Sequence, residues 1–281
     1  VVHVHGDPNA YGVMRKSLVR MVRLLRQYAV ITVSSFIRQK VLEMGFHQGR
    51  VWPVLNVVDL NRFHPAIDGQ QVRQEYGIEP EVPLIGMVGR ISPEKGQRYL
   101  LKALPRVRQA FPRVKALLVG WDDPTRRTNG MSCRQELEAL CAREGLQESV
   151  IFAPPRPDVE KVYAACDVIV VPSIGDPCPL VVLEAMAMGR AIVAFKSGGI
   201  PELVHHEKTG LLVSPGSSWE LAQALIRLLE DPMLLERLGR QARRRVQKHF
   251  YEARLARDVE KVYQSLLGPP SPVLEVAVDG D

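Results

Sequence analysis

The sequence predicts an α/β protein: a doubly wound parallel sheet forms its larger part, preceded by a smaller and incomplete α/β part. Between Pro83 and Pro215 short β-rich runs alternate with helical patterns, the rhythm of strands joined by crossover helices. The runs are nearly continuous in apolar residues rather than alternating, as strands buried on both faces should be.

In chain order the expected strands are Leu84–Val88, Ala116–Val119, Val150–Phe152, Val168–Val171, Ala191–Ala194 and Leu211–Val213. The helices between them are Gln97–Gln109, Cys133–Arg143, Asp158–Ala164, Leu180–Met188 and a short one from Pro201. Ahead of this region lie a strand at Val1–Val4, a helix at Val13–Tyr28, a strand at Val30–Val33, a helix at Phe36–Met44 and a strand near Val51–Leu55. Such a small sheet cannot bury its own apolar surface. The chain opens on Val rather than Met and is read as lacking the start of that domain. Three helices close it: Ser218–Glu230, capped by Ser217 or Ser218, Pro232–Lys248 with proline in its first turn, and Ala253–Leu267.

The chain has 281 residues, 46% hydrophobic and 24% charged, the balance of an ordinary soluble protein. A net charge of +6 suits anionic partners without choosing among them. Cys133, Cys141, Cys166 and Cys178 form no C-x-x-C pair, so a zinc site is disfavoured and reduced thiols in a cytoplasmic protein are expected.

In open α/β sheets ligands bind beyond the carboxyl ends of the strands, and three segments there carry chemistry. VGRISPEKG (88–96) leaves a strand through Gly89 and presents Arg90 and Lys95 before a helix. Two such cations can neutralise a diphosphate, or they can be solvated surface charges. The second segment runs from Pro172 to Gly189. Its helix from Leu180 is apolar nearly all round yet carries Glu184. A buried carboxylate is costly unless paired, and this one sits about 7 Å along from the helix start. Asp176 precedes it with seven residues between. Two carboxylates so placed suit sugar hydroxyls, and the intervening helix start suits phosphate. The alternative pairs Glu184 with a core cation and leaves Asp176 as a turn residue. The third segment, Ser197–Glu202, sets Gly198 and Gly199 before a helix-starting proline, which allows close backbone approach to a ligand or forms a plain turn.

These segments in this order resemble glycosyltransferase family 4, a retaining group with the two-domain, Rossmann-like GT-B fold. The likeness runs from about Val30 to Leu267. Its most specific part is E-x7-E followed by "PLVVLEAMA" and "GGIPELV"; "NVVDLNRFHP" (56–65) and "TGLLVSP" (209–215) match as well. The resemblance implies a donor domain over 67–250, an N-terminal remnant over 1–66, a helix crossing back to it over 251–268 and a flexible tail over 269–281. It implies that Gly89, Arg90 and Lys95 hold the donor diphosphate and that Glu184 binds the ribose. Asp176, in place of the first Glu, would contact the transferred sugar. Cys178 and Leu180 would belong to the donor-binding set, and the amides of Gly198 and Gly199 would lie near the sugar-phosphate. Phe152–Arg156 would line the base, and His5 would face the sugar across the cleft. Arg90 and Lys95 would together face the buried Glu184 and replace a divalent metal. No cofactor beyond the nucleotide-sugar co-substrate is implied. The acceptor is left open among saccharide, lipid and small molecule. The sequence departs from the pattern at Asp176, shorter by a methylene, at Pro179, which has no N–H, and at Val57, where glycine is common.

Two basic helices offer other partners. Met14, Leu18, Met21, Leu25 and Tyr28 form a stripe beside Lys16, Arg20 and Arg23. That pattern fits a core-facing helix, and it leaves peripheral contact with the inner face of a membrane open. Arg237, Arg240, Arg243, Arg244, Arg245 and Lys248 crowd a later helix, but no recognition motif accompanies them and nucleic-acid binding is disfavoured. The competing functions are a nucleotide-sugar-binding module without turnover and another GT-B enzyme, an epimerase or a phosphorylase.

Overall fold

The computed structural model describes residues 1–6, 28–122, 127–128 and 130–267. The helix expected over 13–28 lies, apart from Tyr28, outside the described residues, as does the tail over 269–281. The described chain divides into two compact units, Val1–Leu55 with the C-terminal helix from Ala253, and Asn56–Glu252.

In the first unit β1 (Val2–Val4), β2 (Val30–Thr32) and β3 (Val51–Pro53) form a parallel sheet in that order, with Val2 opposite Val30 and Val30 opposite Val51. Helix α1 (Ser35–Glu43) connects β2 to β3; the Ser34 hydroxyl caps it by accepting from the Ile37 amide.

The second unit holds α2 (Gln70–Glu75), β4 (Leu84–Val88), α3 (Gln97–Ala110), β5 (Lys115–Val119), a hairpin of β6 (Arg127–Thr128) and β7 (Met131–Ser132), and α4 (Cys133–Arg143). It continues with β8 (Val150–Ala153), α5 (Val159–Ala165), β9 (Val168–Val171), α6 (Leu180–Ala187), β10 (Ala191–Phe195), α7 (Ile200–Leu203), β11 (Leu211–Val213), α8 (Ser218–Glu230) and α9 (Pro232–His249). Its six-stranded sheet has the order β11-β10-β9-β4-β5-β8, every pair parallel. All four residues of β9 and all five of β10 are buried, the reason their runs read as apolar without alternation. Leu100, Leu101 and Leu104 of α3 pack with Leu221, Leu225 and Leu228 of α8 in one core. Helix α10 (Glu252–Leu267) belongs to the first unit, where Val262 is buried with Ala29, Ile31 and Val54.

The segment 56–69 is bonded into the second unit. The Val58 amide donates to the Phe250 carbonyl at 3.0 Å, and Arg243 of α9 donates to the carbonyls of Phe63 and Ala187 at 2.9 and 2.8 Å. Arg245 likewise donates to the carbonyls of Leu203 and Glu202. Two of the cations that crowd α9, Arg243 and Arg245, are therefore internal braces. Among the described residues no helix is long and apolar enough to cross a membrane.

Candidate active site

The strand order reverses direction between β4 and β9, the place in such sheets where adjacent crossovers pass to opposite faces and open a crevice at the carboxyl edge. The connections leaving these two strands carry Arg90, Lys95 and Asp176. Three loops meet there through hydrogen bonds. The Ile174 amide donates to the Glu94 carbonyl at 2.8 Å, and Lys95 Nζ donates to Asp176 Oδ2 at 2.7 Å. The Gly175 amide donates to Ser197 Oγ at 2.9 Å, and the Gly199 amide donates to the Asp176 carbonyl at 2.8 Å.

Two glycines permit this convergence. Gly96 has φ +80°, and a β-carbon on it would stand 2.1 Å from the Pro172 carbonyl oxygen. Gly198 has φ +61°, and its β-carbon would stand 2.1 Å from the Asp176 carbonyl oxygen. Any side chain at either place would push the loops apart. The other end of the first loop is tied to β5, where the Gly89 amide donates to Val119 O and the Ile91 amide to Trp121 O.

The carboxylate that Lys95 meets is thus Asp176 rather than Glu184. Asp176 keeps only 10% of its side chain exposed and Lys95 26%, so the pair is largely shielded from solvent. Arg90 bonds to Glu94 at 3.1 Å. The buried acid of α6 has a different partner: the Tyr163 hydroxyl of α5 donates to Glu184 Oε2 at 2.6 Å. Burial pushes the Glu184 carboxyl above its usual range, while the Tyr163 hydrogen bond and the charge of Arg62 pull it back. Arg62 itself is held by Glu160 at 2.9 Å and by the Pro157 carbonyl.

The raised Glu184 carboxyl has a consequence for stability. Above 4.5, the ordinary value, an unfolded chain has released this proton while the folded chain still holds it. Stability therefore falls as pH rises from there through the folded value. Glu184→Gln removes the effect. We expect this variant to withstand more urea than the parent at pH 7, with the advantage fading as the pH is lowered below about 4.5. Coincident urea curves at pH 7 would contradict the burial argument.

The remaining sequence-derived candidates are placed as follows. Arg156 is engaged by Asp158 at 2.7 Å and Glu75 at 2.9 Å, and it holds the Asp158 carboxyl down to about 2. Cys178 is buried, and its carbonyl accepts from Asn56 Nδ2 at 2.9 Å. Leu180, at the start of α6, is 49% exposed. Of the two glycine amides expected near a sugar-phosphate, that of Gly199 donates to the Asp176 carbonyl. His5 follows β1 in the first unit and stacks on His3 with ring centroids 6.1 Å apart. Tyr163, Arg62, Asn56 and Ser197 were not among the expected site residues. Tyr163 had a visible signal, a polar-tipped aromatic in an otherwise apolar helical turn. Among the described residues no three His, Cys, Asp or Glu side chains gather as metal ligands. A groove of about 500 Å³ lies between α3 and α4, lined by Pro93, Leu137 and Leu140; Asp176, Glu184 and Gly198 take no part in it.

Comparison with known proteins agrees with this fold. The family model for glycosyl transferases group 1 matches residues 82–231. Alpha-maltose-1-phosphate synthase of Mycolicibacterium smegmatis is 33% identical over 85% of this chain and 63% of its own length. D-inositol 3-phosphate glycosyltransferase of Nocardia farcinica is 34% identical over 73% of this chain and 45% of its own length. The chain thus spans about half the length of the relatives it matches. Among solved structures, Anabaena HepE in complex with UDP superposes with a TM-score of 0.85 at 28% identity, covering 94% of this chain and 71% of that one. HepE has also been solved with UDP-glucose. The parallel sheets with flanking helices are of the GT-B, Rossmann-like type. With more than half its length inside the family model, the chain belongs to the glycosyl transferases group 1 family.

Proposed function

We propose that this chain carries the donor-binding part of a retaining glycosyltransferase, which moves a sugar from a nucleoside diphosphate to an acceptor hydroxyl without a divalent metal. The observation that carries this reading is the shielded Lys95–Asp176 pair at the switch point of the sheet. A cation and a carboxylate side by side can divide a sugar diphosphate between them: Lys95, with Arg90, takes the phosphates, and Asp176 takes hydroxyls of the sugar. In the transfer the bond from the anomeric carbon to the β-phosphate oxygen breaks. The new bond forms to the acceptor oxygen on the same face, and the acceptor proton passes to the departing phosphate. Arg90 and Lys95 stabilise the charge that develops there, the task a metal performs elsewhere. Glu184 receives the ribose hydroxyls, and the 152–156 stretch lines the base. The complexes of HepE make UDP the first nucleotide to test. The acceptor is a saccharide, a lipid or a small molecule, and a cytoplasmic site of action fits the buried free thiols.

Calorimetric titration with UDP, GDP and ADP, and with their monophosphates, tests the reading. One diphosphate is expected to bind at least about tenfold more tightly than its monophosphate, with or without EDTA. Equal affinity for the two would reject the phosphate role of Arg90 and Lys95. Loss of binding in EDTA would reject metal independence.

A further inference from the structure

We infer that Tyr163 is a positioning residue for the nucleotide site: its hydroxyl locks one oxygen of Glu184 so that the other is presented, in one orientation, to the paired hydroxyls of a ribose. The inference rests on the proposed role of Glu184 and adds to it the device that sets its selectivity.

Tyr163 is wholly buried, and the ring of Phe63 meets it edge-on with centroids 6.1 Å apart. Its hydroxyl donates to Glu184 Oε2, and the 2.6 Å contact lies in the range of charge-assisted bonds. The terminal torsion of a glutamate is broad and nearly two-fold. A carboxylate left to itself would exchange its oxygens and point variably. The Tyr163 bond breaks that symmetry. Glu184 Oε1 has no protein donor among the described residues, while Glu184 stays partly exposed. An acceptor so placed is completed by a ligand donor, and neighbouring hydroxyls are the donor pair that one carboxylate oxygen serves.

The nearest competing donor is kept away. Arg62 lies close enough to lower the titration of both Glu184 and Tyr163. Its guanidinium is nevertheless spent on Glu160 at 3.1 and 2.9 Å and on the Pro157 carbonyl. Tyr163 on one side and Glu160 on the other thus leave the open oxygen of Glu184 unclaimed.

The test is Tyr163→Phe, which keeps the ring and removes only the donor. The parent is expected to bind UDP about tenfold more tightly than 2′-deoxy-UDP. In the variant that ratio falls to within about twofold, because UDP weakens while 2′-deoxy-UDP does not. A merely structural role for Tyr163 would weaken both nucleotides alike and overturn the inference. Glu184→Gln separates the two levels. If it leaves the ribose preference intact, the reading of Glu184 itself fails. A measurement without nucleotide stands independently: carbon-13 NMR of the Glu184 carboxyl, identified by its loss in Glu184→Gln. Removing the Tyr163 donor should move its titration upward, and an unmoved midpoint overturns the lock whether or not any nucleotide binds.

Discussion

Lys95→Ala is expected to lower nucleotide-sugar turnover at least about 100-fold, the cost of removing one preorganised charge from a developing anion. Two losses combine. The first is chemical, because Lys95 is proposed to neutralise the leaving phosphate. The second is positional, because Asp176 is almost buried and would lose the ammonium 2.7 Å from its carboxylate. Asp176→Asn separates them. An asparagine can still accept from Lys95, and the backbone bonds of Gly199 and Ile174 hold the loop in either variant. Asp176→Asn should therefore keep the preference for diphosphate over monophosphate while losing turnover; Lys95→Ala should lose both. The readout is UDP release from UDP-glucose together with the two affinities. Turnover of Lys95→Ala within about threefold of the parent would end the leaving-group assignment.

The strands of the larger sheet were legible because burial on both faces leaves a signature in composition alone: Val168–Val171 is an unbroken apolar run, and it is wholly buried. Helix starts were legible where a side chain must cap them. Ser217 accepts from the Glu220 amide, and Pro232 stands in the first turn of α9; the Asp231 side chain that accepts from the Leu234 amide there was not anticipated. The candidate side chains stood out in the sequence, and their pairings did not. Glu184 stood out as an acid in an oily helix, yet its partner is a tyrosine on the preceding helix rather than a cation from the loop after β4. Nothing in spacing can choose among donors brought together only by the sheet. The same limit explains α9. A run of arginines looks like a surface patch, and only the fold shows that Arg243 and Arg245 reach backbone carbonyls from distant segments.

Helix α2 was missed for a related reason. In Gln70–Glu75 only Val72 is buried, so no apolar periodicity marks it. Its importance lies in one cation. Arg73 Nε donates to the Ala165 carbonyl at 2.8 Å, and Nη1 has the carbonyls of Glu79, Pro80 and Val82 at 3.0 to 3.3 Å. Nη2 bonds to Asp167 Oδ2 at 3.0 Å, and the same oxygen accepts from the Leu84 amide at 2.7 Å. One guanidinium thus joins the end of α5, the approach to β4 and the start of β9, beneath the two strands whose far ends carry the site. Arg73→Ala leaves those carbonyls and a carboxylate without their donor at a side chain only 13% exposed. The expected cost is about 3 kcal/mol of unfolding free energy, mainly from the several backbone carbonyls left without their donor, since the Asp167 carboxylate is itself partly exposed. Arg73→Lys should recover less than about half of it, since an ammonium cannot span the fork of acceptors. Urea unfolding of the three proteins measures both differences. A loss under about 1 kcal/mol for Arg73→Ala would mean that water replaces the guanidinium at these carbonyls, and that the register of β4 against β9 is held by the sheet alone.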